Sequence, residues 1–361
     1  MTHRIRGLQD DMSRLFDVKD VDRRFYQERL KGFLPEKIID VHAHVWLKSF
    51  RKAPPTGRAV TWPLHVAEEN PVEDLIETYE LLFPGKSVKP LMFSFVESHE
   101  DDFKAANDYV SCAAREHGFA ALVFASPQWS AQRLEREIRQ GAFLGVKVYL
   151  TLSPADIPVD QIRIFDFLPH HQLEVLNERG WIVMLHIPRS GRLRDPVNLA
   201  DMVEIERRYP NAKVIIAHAG RAYCPEDVGD AFAVLSETKR LLFDISANTN
   251  AAVFEQLIRT VGPRRILFGS DLPITRMRMR RICENGNYVN LVPKGLYGDV
   301  SDDKHMREVE GEQADALSFF LYEEIDAFRR AAQATGLTPE DVEDVFYGNA
   351  VRLIDPNEGR A

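Results

Sequence analysis

The chain has no apolar stretch approaching the ~20 residues that a bilayer-spanning helix needs, and its charged first 37 residues hold no apolar signal core. Neither a membrane helix nor a secretory leader is expected. Cysteine is scarce. The three present, Cys112, Cys224 and Cys283, are widely separated and odd in number, so no disulfide framework is implied and Cys224 reads as a small apolar filler. That scarcity fits a reducing, cytoplasmic setting. A basic excess is missing too: 46 Lys and Arg against 55 Asp and Glu leave a formal net charge of −9. This excludes a general nucleic-acid-binding surface, which is basic. No repeat of solenoid period and no low-complexity tract occurs.

What is present is a soluble, globular composition, 45% hydrophobic and 28% charged over 361 residues. Short apolar runs at Ile38–Ala43, Leu91–Val96, Ala120–Ala125, Gly145–Leu150, Ile182–His186, Val214–His218, Leu241–Ile245 and Ile266–Gly269 alternate with helical patterns. Near-continuous apolar strands separated by helices imply a parallel sheet covered on both faces. Eight of them predict an α/β fold, the (β/α)8 TIM barrel. An open doubly wound sheet would carry a glycine-rich turn after its first strand, and His42-Ala43-His44 stands there instead. Two segments exceed ordinary connection length, Val45–Asn70 after strand 1 and Leu272–Gly311 after strand 8. The expected division is a charged N-terminal extension, 1–37, and a barrel domain, 38–361, closed by helices at Ala314–Thr335 and Pro339–Ile354.

Chemistry concentrates where the apolar runs end. His42 and His44 are two residues apart on a strand and so share a face. The runs Trp181–His186, Lys213–His218 and Ile266–Asp271 each close on a potential ligand. Imidazoles and a carboxylate converging from the strand ends of one barrel suit a catalytic divalent ion, zinc first and manganese second. His42, His44, His186 and Asp271 are the expected ligands. Asp271 could also move a proton, and His218 could polarise a carbonyl or shuttle one. Lys147 lies inside a strand, where an ammonium is costly unless paired; carboxylated, it would become a metal ligand.

These residues resemble the amidohydrolase superfamily, and its second amidohydrolase family most closely. The similar segments are Ile38-Ile-Asp-Val-His-Ala-His44, Gly145-Val-Lys-Val-Tyr149, His186, Val214-Ile-Ile-Ala-His-Ala-Gly220, Phe243-Asp-Ile-Ser246, Ile266-Leu-Phe-Gly-Ser-Asp-Leu272 and Phe346-Tyr-Gly-Asn-Ala-Val-Arg-Leu-Ile354. The resemblance implies a metal at His42, His44, His186 and Asp271, with His218 a further ligand or catalytic partner. It also implies a second metal where Lys147 is carboxylated. The activity it implies is hydrolysis of an ester, lactone or amide bond by metal-activated water. The alternative within the same group is non-oxidative decarboxylation of a carboxylated ring or enol. Arginines beyond the strand ends, with Arg221, Arg189 and Arg276 as candidates, would hold a substrate carboxylate. The partner is thus a small anionic molecule, with no nucleic acid or membrane; a homo-oligomer is left open.

Overall fold

In the computed structural model, which describes residues 15–52 and 65–355, parallel strands alternate with helices around one barrel. β1 (Lys37–His44) pairs with β2 (Ser87–Phe93), and β2 with a bent strand, β3, in two pieces, Ala120–Ala121 and Val123–Phe124. The ladder continues in parallel through β4 (Gly145–Val148), β5 (Ile182–Leu185), β6 (Lys213–Ile216), β7 (Leu242–Asp244) and β8 (Ile266–Leu267). Just past β8 the chain returns to β1. Val41 N–H donates to Phe268 O at 3.0 Å, Asp271 N–H to His42 O at 2.7 Å and His44 N–H to Leu272 O at 2.8 Å. Those bonds join last strand to first, as the expected (β/α)8 fold requires.

The helices that follow the strands have their ends written in sequence. Asp102, Ser130, Asp195 and Asn250 accept backbone N–H groups at helix starts, and Gly118, Gly180 and Gly336 take the left-handed conformation at helix ends. Inside the barrel Val41, Leu91, Leu122, Met184, Ile215 and Leu267 pack together, and Leu353 of the C-terminal helix packs with them. The apolar floor leaves only the strand C-terminal ends for polar chemistry. Among the described residues, no helix is long and apolar enough to cross a membrane.

Three features depart from expectation. Residues 15–37 are part of the barrel body rather than a separate charged extension: Phe16, Phe25, Tyr26, Leu30 and Leu34 are buried in the main core. The long segment after β8 is folded. β9 (Arg280–Glu284) and β10 (Asn287–Pro293) form an antiparallel hairpin, and β11 (Met306–Val309) runs parallel to β10. Its turn is Asn285-Gly286, at φ 51° and 73°, the positive values that a two-residue hairpin turn requires. Third, Cys224 and Cys283 form a disulfide with Cα atoms 5.8 Å apart, and Cys112 is free. The filler reading of Cys224 is therefore wrong. Linear separation hid a spatial neighbourhood, because the loops after β6 and β8 meet over the barrel mouth. With two of three cysteines paired, the cysteine count no longer supports a reducing, cytoplasmic setting.

Candidate metal centre and substrate cleft

The centre begins with Asp40. Its buried carboxylate accepts His42 N–H at 2.9 Å, Tyr79 O–H at 2.7 Å and Ser270 N–H at 2.8 Å, and a further bond from Ser270 Oγ. These bonds hold the irregular pairing of β1 between Asp40 and Ala43 against the chain leaving β8. Burial pushes the Asp40 carboxyl up to about 6. Gly269 makes the close approach possible: a Cβ there would meet the His42 Cβ at 2.7 Å. The next residues bring His42 and His44 to the mouth with ring centroids 5.3 Å apart.

Hydrogen bonds decide which nitrogen each ring offers. His42 Nδ1 lies 2.9 Å from Asp244 Oδ2 and so carries its proton there, leaving the Nε2 lone pair facing inward. Burial pulls the ring's pKa down to about 3, with Lys147 adding to it, so His42 is neutral. Asp244 also accepts His218 N–H at 2.7 Å and a bond from Ser246 Oγ. Burial works to raise its pKa, but His42 and His218 outweigh this and leave it at about 2. His218 Nδ1 is 3.1 Å from Ser246 O, a group that only accepts, so neutral His218 presents Nε2 as a lone pair. That suits a ligand or proton acceptor and does not suit a donor to an oxyanion.

Asp271 completes the group. Its Oδ1 lies 3.4 Å from His42 Nε2 and 3.2 Å from His44 Nε2. One donor atom from each of His42, His44 and Asp271 falls within 4.8 Å of the others. Burial opposes ionisation of Asp271, but the His44 contact and nearby His218 and His42 hold its carboxyl below the usual range. Lys147 Nζ sits 3.4 Å from His42 Nε2 and 4.9 Å from the Phe93 ring centroid. Burial pulls its pKa down to about 8 against the charges of Asp271 and Asp244. Positive φ values at His218, Ala219, Arg221, Ala247 and Asp271 collect at this mouth, each costing roughly 1–3 kcal/mol that the surrounding bonds offset.

The donor set fits a divalent ion. His42 and His44 both turn Nε2 toward Asp271 Oδ1, a nitrogen and carboxylate donor set of the kind that binds such an ion, and His186 Nδ1 beside them is buried without a hydrogen-bond partner. His186 stands beside the tight trio rather than in it, 5.3 Å from the His218 ring and 4.8 Å from Tyr149 by ring centroids. A cleft of about 630 Å³ opens from His186 and Tyr149 past Arg221 to Tyr223, Tyr288 and His305.

Six expected residues thus meet at the mouth: His42, His44, Lys147, His186, His218 and Asp271. Of the three expected arginines, Arg221 lines the cleft. Arg189 instead donates to Ile162 O at 3.2 Å and Gln161 O at 3.1 Å, tying two loops together. Arg276 is half-buried beside Phe16, its guanidinium carbon 5.9 Å from that ring centroid. A place just after a strand end does not determine which way a side chain turns. Asp244 and Ser246 were missed as site residues, although Asp244 ends β7 just as Asp271 follows β8.

Fold and centre together define a metal-dependent enzyme built on a (β/α)8 barrel. The chain belongs to the amidohydrolase family, whose model matches residues 39–355. No curated protein matches the sequence significantly. Among solved structures it is similar to a probable 2-pyrone-4,6-dicarboxylic acid hydrolase from Acinetobacter baumannii with citric acid bound, at 15% identity and TM-score 0.52, covering 88% of this chain and 98% of that one. It is similar to 4-oxalomesaconate hydratase from Rhodopseudomonas palustris at 15% identity and TM-score 0.52, covering 89% and 96%. Against 2,6-dihydroxybenzoate decarboxylase from Rhizobium the values are 13% and 0.51, covering 90% and 99%. At such identities the likeness is one of fold.

Proposed function

We infer that the chain is a metal-dependent hydrolase that adds water to an ester, lactone or amide bond of a small carboxylated molecule. The observation that carries this reading is the state of Asp271. One oxygen meets His44 Nε2 at 3.2 Å and faces His42 Nε2 at 3.4 Å, and the other accepts no hydrogen bond among the described residues. A carboxylate fixed at one oxygen and open at the other is a positioned proton acceptor. The ion, zinc first and manganese second for this ligand set, would be held by His42, His44 and Asp271 with His186 and His218 beside them. When bound, it supplies Lewis acidity and brings the ionisation of water toward neutrality.

The remaining work falls to the chain. Asp271 takes the proton of the attacking water and returns it to the leaving oxygen or nitrogen. Asp244 keeps His42 in one tautomer, and Ser246 does the same for His218. Arg221 takes the substrate carboxylate: its Nη1 donates to Ile187 O, Pro188 O and Arg189 O at 3.1, 2.9 and 3.1 Å, while its Nε is buried without a partner. Lys147, as an amine 3.4 Å from His42 Nε2, would be a donor beside the ion; carboxylated, it would become a ligand for a second ion, and metal content per chain separates the two states.

The test is turnover of small carboxylated esters and lactones by zinc- or manganese-loaded enzyme, with proton release followed at constant pH. Asp271→Asn should lower turnover by roughly 10²–10⁴-fold. Activity within tenfold of wild type would remove Asp271 as the base. Decarboxylases share the fold, and release of carbon dioxide without proton release would replace hydrolysis by that chemistry.

A further inference from the structure

The outer end of the cleft is built by the chain between β10 and β11, and hydrolysis does not use it. Val300 O accepts Asp303 N–H at 3.1 Å, Asp303 Oδ1 accepts His305 N–H at 2.8 Å and Asp303 O accepts Met306 N–H at 2.9 Å. His305 O in turn accepts Asn290 N–H from β10 at 2.8 Å. The His305 ring stacks on Tyr288 at 4.1 Å with an interplanar angle of 8°. Arg281, which stands outside the cleft lining, packs on the Tyr223 and Tyr288 rings at 4.7 and 4.5 Å. Backbone and ring contacts thus fix where Asp303 and His305 stand.

His305 lines the cleft and is only 9% exposed. Its Nδ1 is 3.0 Å from Tyr288 O, a group that only accepts, so the ring proton sits on Nδ1. Burial pulls the ring's pKa down, which leaves Nε2 as a lone pair with no partner among the described residues. The charge around it is negative. Asp299, Asp302 and half-buried Asp303 line this end of the cleft against Lys304, since Arg192 is answered by Asp227 at 2.6 Å. Asp299 and Asp302 are exposed, where water and salt screen them, so Asp303 carries most of the field. An acceptor lone pair beside a carboxylate is the complement of a donor that carries positive charge. At the other end of the same cleft stands Arg221, the complement of an anion.

We propose that Asp303 and His305 form a cation subsite, so that the molecule hydrolysed carries an ammonium group here as well as a carboxylate at Arg221. The proposal rests on the hydrolase reading and on Arg221 as its carboxylate anchor. It makes the segment after β8 a determinant of specificity. A plain monoacid leaves Asp303 and the His305 lone pair without a donor, and a second carboxylate would meet charge of its own sign.

Binding, not turnover, tests it, by calorimetric titration into the full-length zinc-loaded chain. The probes are 3- and 4-(aminomethyl)benzoate and 6-aminohexanoate, each against the matching hydroxy acid, which keeps the shape and the carboxylate and loses the positive charge. At least one amino acid should bind roughly tenfold or more tighter than its hydroxy partner, and the advantage should shrink as salt rises. Asp303→Asn keeps an oxygen for the His305 N–H and removes the charge, and should erase most of the advantage. His305→Phe keeps a flat ring on Tyr288 and removes the lone pair, and should lower the advantage roughly threefold or more. Thermal melting checks that both variants are folded. Equal binding within every pair would overturn the proposal, as would an advantage that survives Asp303→Asn or is untouched by His305→Phe. Should Asp303→Asn not fold, the wild-type ratio, its fall with salt and His305→Phe decide. Arg221→Met, expected to weaken amino and hydroxy acids alike, tests the anchor separately, and a chain that hydrolyses nothing would still return the binding ratio.

Discussion

Asp244 touches no substrate in the proposed mechanism, yet it sets what His42 can do. Its oxygen at 2.9 Å fixes the proton on Nδ1, and a carboxylate behind an imidazole also raises the basicity of the other nitrogen. Asp244→Asn keeps the shape and loses the charge. Metal affinity, read by competition with a chromophoric chelator, should fall roughly 10–100-fold while the fold persists. Unchanged affinity would mean that the barrel alone orients His42. Gly269→Ala attacks the same ring from behind, since the added Cβ would lie 2.7 Å from the His42 Cβ; it should cost roughly 1–3 kcal/mol of overpacking and weaken metal binding as well. Histidines and an aspartate at strand ends were legible in sequence because a parallel barrel delivers all strand ends to one mouth. Asp244 obeyed the same grammar and was passed over because its work is holding rather than ligating. Arg189 and Arg276 show the limit: spacing places the backbone, while guanidinium direction depends on which carbonyls or rings lie within reach.

At the level of elements, alternation of apolar runs with amphipathic stretches made the barrel readable, since each run is buried on both faces. The sheet after β8 was less so. Asn285-Gly286 is a strong hairpin signal, but β9 reads Arg-Arg-Ile-Cys-Glu and is half-exposed, so it lacks the apolar pattern that marks a core strand. The disulfide could not be read at all, since contact between the loops after β6 and β8 is a property of the closed barrel. Joining residues 59 apart in sequence, it restricts the unfolded chain by about 4 kcal/mol in the chain-entropy model. Cys283→Ser should therefore lower unfolding stability by up to that amount and expose the β9–β10 hairpin to protease. Cleavage of that hairpin at the wild-type rate would show that the arginine–tyrosine stack alone holds it down.

Across the whole molecule, the segment before β1 braces the segment after β8. Phe25, Tyr26, Leu30, Phe33 and Leu34 follow helical spacing, a pattern obscured by the charges between them, and it buries one face of this segment in the core. Among those charges, Asp22 is wholly buried and takes a two-pronged bond from Arg278, Nη1 to Oδ1 at 2.8 Å and Nη2 to Oδ2 at 2.6 Å. Arg278 also donates to Leu317 O at 2.7 Å, and Ser318 Oγ donates to Asp22 Oδ1 at 2.8 Å. Arg278 N–H reaches the Tyr297 hydroxyl at 2.6 Å, so the pair sits at the base of the folded segment that carries Arg281 and Tyr288. Forming such a pair gains little, because desolvation offsets attraction, but removing one partner strands a buried charge at about 3–5 kcal/mol. Asp22→Ala should cost that much in denaturant unfolding, and Asp22→Ala/Arg278→Met should recover most of it. A loss below 1 kcal/mol would mean that the N-terminal segment packs against the barrel without bracing the segment after β8.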